Sequence, residues 1–334
     1  MTEPSLSDTA EHEQARATVL PGRPRIAVVG AGALGGYYGA RLAQAGHEVH
    51  FLMRGDYQHV RQHGLRVESC DGDFALPDVR VARSAADIGR CDLVIIGLKT
   101  TANDAMPGLV EPLVGERTVL LTLQNGLGSD QLLAQRFGSG RVLGGLCFVC
   151  INRLAPGLIA HTAEGLIRMG EFSGPSGARA AALAELLQAA GIPCRVESSL
   201  AAAQWRKLVW NIPFNGLSIA AGGIDTAAIL AAPTLEALCR ELMREVIAAS
   251  TALGHPLPES LVEEQVTRTY AMQAYRPSSL IDWLDGRPVE VESIWGEPLR
   301  RARAVGVDTP RLEMLYQLLV PLCDPARPAP AAGR

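Results

Sequence analysis

The residues best equipped for chemistry lie in the stretch Trp205-Arg206-Lys207-Leu208-Val209-Trp210-Asn211-Ile212-Pro213-Phe214-Asn215. Lys207, Asn211 and Asn215 recur every fourth position in an otherwise apolar run, so a helix sets all three on one face. Polar groups on such a face need partners, which either a bound substrate or a neighbouring polar stripe can supply. Lys207 carries further weight because, of 31 basic side chains, only Lys99 and Lys207 are lysines. A guanidinium keeps its charge while an ammonium can give up a proton, so a lysine that survives this bias points to a place where arginine cannot serve. Pro213 removes a helical donor, which predicts a kink just before Asn215.

A second set of residues suits a dinucleotide. The turn Gly30-Ala31-Gly32-Ala33-Leu34-Gly35 directly follows the apolar run Arg25-Ile26-Ala27-Val28-Val29 and opens a helical stretch. In that setting Gly30 permits the tight turn, Gly32 lets the backbone approach phosphate, and Gly35 lets helix pack on strand. The helix N-terminus then offers free N–H groups and the positive dipole end to a pyrophosphate. At the end of the next strand, 48–53, a carboxylate would hold a ribose 2′-hydroxyl. This chain places Arg54 there, with Asp56 two residues further on, and a guanidinium favours the 2′-phosphate of NADP(H).

Two loops complete the candidate site. Lys99 follows the strand at 92–97 and Asn125, in Gln124-Asn125-Gly126, follows the strand at 119–123, both at the carboxyl ends where open α/β sheets place ligands. Lys99 suits a charge on cofactor or substrate. Asn125 suits a hydrogen bond to the nicotinamide ribose or the substrate, although turn chemistry alone also accounts for Asn-Gly.

Elements of two kinds must position these residues. From Arg25 short β-rich runs at 26–29, 48–53, 92–98, 119–123 and 142–151 alternate with helical stretches, which implies βαβ units and a parallel sheet. Beyond Ser198 the pattern changes to apolar residues at three- and four-residue intervals over 201–217, 235–253, 261–273, 289–305 and 311–323. The expected fold is therefore α/β, an N-terminal Rossmann-type dinucleotide-binding domain over 24–198 followed by an all-α C-terminal domain over 199–323. Residues 1–23 and the Pro/Ala-rich 324–334 read as disordered tails.

Composition narrows the function. With 334 residues, 48% hydrophobic and 20% charged, the chain can fill two cores. A formal net charge of −4 gives no basic field for nucleic acid. No apolar run of spanning length appears, and the start lacks the regions of a signal peptide, so the cytoplasm is the expected compartment. Seven cysteines, an odd number, read as reduced, and Cys147 and Cys150 read as strand core rather than half of a zinc site. His59 and His63 read as a solvated helix face, so no metal is expected. No surface identifies itself as an interface, although helical second domains often pair, which makes a homodimer the assembly to test.

Taken together, the chain resembles the ketopantoate reductase family from about Arg25 to Cys323. The resemblance rests on the GxGALG turn, Arg54, the Leu98-Lys99 loop, Gln124-Asn125-Gly126, the helix from Trp205, Pro277-Ser278, and Gly286-Arg287-Pro288-Val289-Glu290. It implies NADPH-dependent reduction of a 2-keto acid in pantothenate synthesis, with Lys207 as the catalytic acid. It also implies that Asn211, Asn215, Ser278 and Glu290 contact substrate, and that Asn125 lies beside cofactor and substrate. That chemistry is self-consistent, because hydride addition to a ketone leaves an alkoxide that an ammonium can both stabilise and protonate. The chain departs from the family pattern at Glu290-Val291-Glu292, at Trp295-Gly296 where Asn-Gly is common, at Tyr275 where an asparagine is common, and at Pro213. Tyr275 and Trp295 are expected at or near the substrate pocket. The alternatives are a different 2-keto or 2-hydroxy acid, or an NADP(H)-binding regulator without turnover.

Overall fold

The computed structural model describes residues 20–324 and 326. Most of the stretches expected as tails lie outside the described residues; Leu20, inside the expected N-terminal tail, is buried in a core. The described chain divides into two compact units. One runs to Gln124 and resumes over Ser129–Leu200; the other takes Asn125–Gly128 and continues from Ala201.

The first unit comprises β1 (Arg25–Val29), α1 (Ala33–Gln44), β2 (Glu48–Leu52), α2 (Tyr57–His63), β3 (Leu65–Ser69), β4 (Phe74–Leu76), β5 (Arg80–Ala82) and α3 (Ala85–Ile88). It continues with β6 (Cys91–Ile96), α4 (Met106–Val110), β7 (Val114–Thr122), α5 (Ser129–Phe137), β8 (Val142–Ala155), β9 (Leu158–Glu171), α6 (Ala178–Ala189) and β10 (Cys194–Val196). Strands β5-β2-β1-β6-β7-β8 lie side by side and parallel. The strand order reverses between β1 and β6, the switch point where such sheets bind nucleotides. The central strands carry apolar runs, 26–29 in β1, 93–96 in β6 and 119–121 in β7, because both faces are covered. Tyr38 and Leu42 of α1 and Leu183 and Leu187 of α6 pack in the core on one face, and Ile88, Met106 and Leu133 in the core on the other.

The sheet is not purely parallel, which corrects the sequence reading. The 14-residue strands β8 and β9 form a long antiparallel hairpin, β3 lies parallel to β9, and β4 returns antiparallel on β3. The apolar pattern of β9 is interrupted at His161-Thr162-Ala163-Glu164, where Glu164 takes φ 66° and the register shifts. His161 is nevertheless buried. Its Nε2 lies 3.0 Å from the Glu164 carbonyl, to which it can donate, and its Nδ1 lies 2.9 Å from the Ser69 hydroxyl. Arg179 and Glu171 form a buried ion pair whose guanidinium also reaches the Gly140 carbonyl.

The second unit holds α7 (Leu200–Ala220), of which it takes all but the first residue, α8 (Thr226–Ala231), α9 (Pro233–Ala252), α10 (Leu261–Met272) and α11 (Ser278–Leu284). A π-helical turn, Glu292–Gly296, leads into α12 (Glu297–Ala304), and α13 (Pro310–Leu322) follows. Helix α7 remains a single helix through Pro213. At the adjacent residue the Trp295 indole N–H donates to the Ile212 carbonyl at 3.0 Å, and Gly216, one turn on, leaves room for that ring. Trp295 is thus a fully buried core residue. Its ring spans the π-helical turn and α7 and bonds the backbone on a tightly packed face.

Candidate active site

In the first unit the glycine turn has the shape a pyrophosphate requires. Gly30 takes φ +89°, and a Cβ there would stand 2.5 Å from the Leu98 backbone nitrogen, so only glycine fits. A Cβ on Gly35 would collide with the Gly30 carbonyl. At Gly32 nothing lies within 4 Å of where a Cβ would be, so the turn is open at the residue expected to meet phosphate. The Gly32 carbonyl accepts the first helical bond from the Gly36 N–H at 2.9 Å. The N–H groups before Gly36 have no carbonyl of their own helix to bond. The residues present therefore fit a dinucleotide, with Ala31, Ala33 and Leu34 completing the turn.

Arg54 is exposed beyond the end of β2, and Lys99 is exposed in the loop after β6. Asp56, the carboxylate nearest Arg54 in sequence, is paired with Arg153 at 2.5 Å. The Gln124 side-chain amide donates to Asn103 Oδ1 at 2.8 Å, and Asn103 in turn donates to Ser129 Oγ at 3.0 Å. These bonds fix Gln124 immediately before the Asn-Gly turn.

In the second unit Lys207 Nζ donates to Asn125 Oδ1 at 2.8 Å. Asn125 is held in place from the other side of the turn, where the Leu127 N–H donates to the Ser293 carbonyl at 2.9 Å. Gly126 takes φ +78°, and a Cβ there would meet the same carbonyl, so the turn needs glycine. Ser293 Oγ also donates to the Glu290 carbonyl at 3.3 Å, which ties the Glu290 segment to the Asn125 turn. The Glu290 side chain is buried.

Asn211 and Asn215, one and two turns beyond Lys207, are also buried. Asn215 Oδ1 accepts from the Ser279 N–H at 3.0 Å and so anchors the start of α11. That bond bears on the serine pair. Ser278 is exposed, whereas Ser279 is buried beside Asn215, and the Pro-Ser motif points only to the first. Adjacent serines differ by a third of a helical turn, which no motif spacing resolves. Tyr275 is half-buried with its ring 6.1 Å from Trp210, which stacks on Phe214 and donates to Thr269 Oγ1 at 2.8 Å.

Fold and glycine turn define a nucleotide-dependent protein of the Rossmann class with a separate helical unit that carries an amine, amides and a buried carboxylate. Residues 26–174 match the family described as ketopantoate reductase PanE/ApbA, and residues 199–322 match the ketopantoate reductase PanE/ApbA C-terminal family. A 2-dehydropantoate 2-reductase of Nostoc sp. is 41% identical over 300 residues, which cover 88% of this chain and 94% of the relative. Among solved structures, the 2-dehydropantoate 2-reductase of Geobacter metallireducens superposes with TM-score 0.87 at 45% identity, covering 89% of this chain and 99% of that one. The enzyme of the same name from Methylococcus capsulatus gives TM-score 0.84 at 37% identity over 91% and 98% of the two chains. The chain belongs to the ketopantoate reductase family.

Proposed function

We propose that this protein reduces 2-dehydropantoate to pantoate with NADPH, as a cytoplasmic step of pantothenate and coenzyme A biosynthesis. The observation that carries the reading is the Lys207–Asn125 hydrogen bond, made by the helix that also carries Asn211 and Asn215. The reduced dinucleotide, held by residues 30–35, Arg54 and Lys99, supplies the hydride when bound. Asn125, besides meeting cofactor and substrate, holds the Lys207 ammonium at a fixed point, so its proton is aimed before the reaction begins. As the carbonyl oxygen gains charge, Lys207 stabilises it and then protonates it. Asn211 and Asn215 orient the substrate. A serine at the start of α11, Ser278 or the buried Ser279 that Asn215 anchors, takes the carboxylate. Glu290 accepts from the substrate hydroxyl, a bond that a buried carboxylate makes strongly.

The test is NADPH oxidation followed by absorbance, with 2-dehydropantoate against a panel of 2-keto acids that includes aromatic ones, because Tyr275 and Trp210 offer apolar surface. Turnover of 2-dehydropantoate ahead of the panel is expected. Tight NADPH binding without turnover of any keto acid would overturn the enzyme reading in favour of a binding protein, and a strong preference for another keto acid would reassign the substrate. Light scattering of the purified protein tests the homodimer.

A further inference from the structure

Asp56 stands where an acid should weaken binding of NADP(H). It lies just past the end of β2, close to where a carboxylate grips a ribose 2′-hydroxyl, and a free carboxylate there would repel a 2′-phosphate. It is also the N-cap residue of α2, yet its side chain makes no capping bond. Its carboxylate accepts instead from Arg153 Nη1 at 2.5 Å, and its side chain is only 13% exposed. Arg153 reaches it from β8, close to the turn into β9 and 97 residues further along the chain.

The surroundings add charge of the same sign as Arg153. Strand β5 runs beside β2 with Ala82 opposite Leu52, and the Met53 N–H donates to the Ala82 carbonyl at 3.0 Å. Arg83, which follows directly, lays its guanidinium 4.7 Å from the ring centre of Tyr57. The carboxyl end of this strand pair thus carries Arg54 and Arg83, and Arg153 of β8 meets Asp56 there.

We propose that Arg153 is a specificity-determining residue for the cofactor. By holding Asp56 in an ion pair it withdraws the carboxylate that would select an unphosphorylated ribose, and leaves Arg54 and Arg83 to receive the 2′-phosphate. It is a positioning residue, acting through Asp56. The inference rests on the NADP(H) reading above.

Calorimetric titration of the purified protein with NADP+, NAD+, 2′-AMP and 5′-AMP tests it without any turnover. Arg153→Ala should weaken NADP+ and 2′-AMP by about fivefold, the scale of a partly exposed ion pair, while NAD+ and 5′-AMP bind as before or more tightly. Arg153→Lys should retain most of the preference, and adding Asp56→Asn to Arg153→Ala should restore it. Equal weakening of both dinucleotides, no change in either, or failure of Asp56→Asn to restore NADP+ affinity would overturn the proposal. A parent protein that binds NAD+ as tightly as NADP+ would overturn the NADP(H) reading itself. A parent that prefers NADP+ alongside an unaltered Arg153→Ala would remove only the role of Arg153.

Discussion

Lys207 and Asn125 are 82 positions apart in sequence and 2.8 Å apart in space, and the bond between them orients the one lysine of the helical unit. Asn125→Ala should therefore reduce kcat by roughly tenfold to a hundredfold, since the ammonium remains but is no longer aimed. Lys207→Ala should cost about a hundredfold to ten-thousandfold. The double variant should fall no further than Lys207→Ala alone, because the two side chains act as a unit. Steady-state kinetics of the three variants checks this, with NADPH affinity measured separately. Near-normal turnover in Lys207→Arg would refute the proton-donor role, since a guanidinium does not release its proton.

Asn215 should act on binding more than on chemistry. Its Oδ1 holds the Ser279 N–H at the start of α11, so Asn215→Ala frees that turn at a stability cost of about 1 kcal/mol. KM for the keto acid should rise well beyond any change in kcat. A lowered kcat at unchanged KM would place Asn215 in the chemical step instead.

The buried Arg179–Glu171 pair makes a stability prediction away from the site. Removing the carboxylate alone, as in Glu171→Ala, strands a guanidinium and should cost about 3–5 kcal/mol. Replacing both partners with apolar residues of similar volume should cost much less. Urea unfolding of the single and double variants separates the two outcomes.

Two thiols supply a pH signature. Burial pushes Cys194 and Cys239 up to about 12, so both stay protonated in the folded protein, whereas Cys70 is exposed. A thiol reagent at pH 7 should label Cys70 and leave Cys194 and Cys239 silent until the chain unfolds. The stability that comes from keeping them protonated is complete below the ordinary thiol value of roughly 8.5. It is lost as pH rises through about 12, because only the unfolded chain ionises freely in that window. Replacing Cys239 with alanine should flatten the alkaline loss; an unchanged alkaline limb would count against this account.

Local signals carried much of this structure. The glycine turn, the apolar strands β1, β2, β6 and β7 and the long helices α7, α9, α10 and α13 each follow from residues close together in sequence. The β8–β9 hairpin was only half legible. Strand β9 buries a histidine and shifts register at Glu164, and both defeat a reading based on alternation, because one of the two contacts that satisfy His161 comes from Ser69, 92 residues away. The full burial of Trp295 was hidden for a related reason. A tryptophan that replaces a small polar residue beside a pocket reads as a pocket wall, and only Gly216 and the Ile212 carbonyl explain why the ring turns into the core. The choice between Ser278 and Ser279 and the Asp56–Arg153 pair likewise depend on contacts that no local pattern encodes.

The four residues Asn125–Gly128 belong to the helical unit although the segments on either side of them belong to the other. The polypeptide therefore passes between its two units three times, and no single cut yields two complete halves. A gene fragment beginning near residue 201 would encode every helix of the second unit yet lack the asparagine that aims its lysine. Exchanging substrate halves between relatives would need two grafts made together, the helices and this short turn, because the two form one unit from separate stretches of chain.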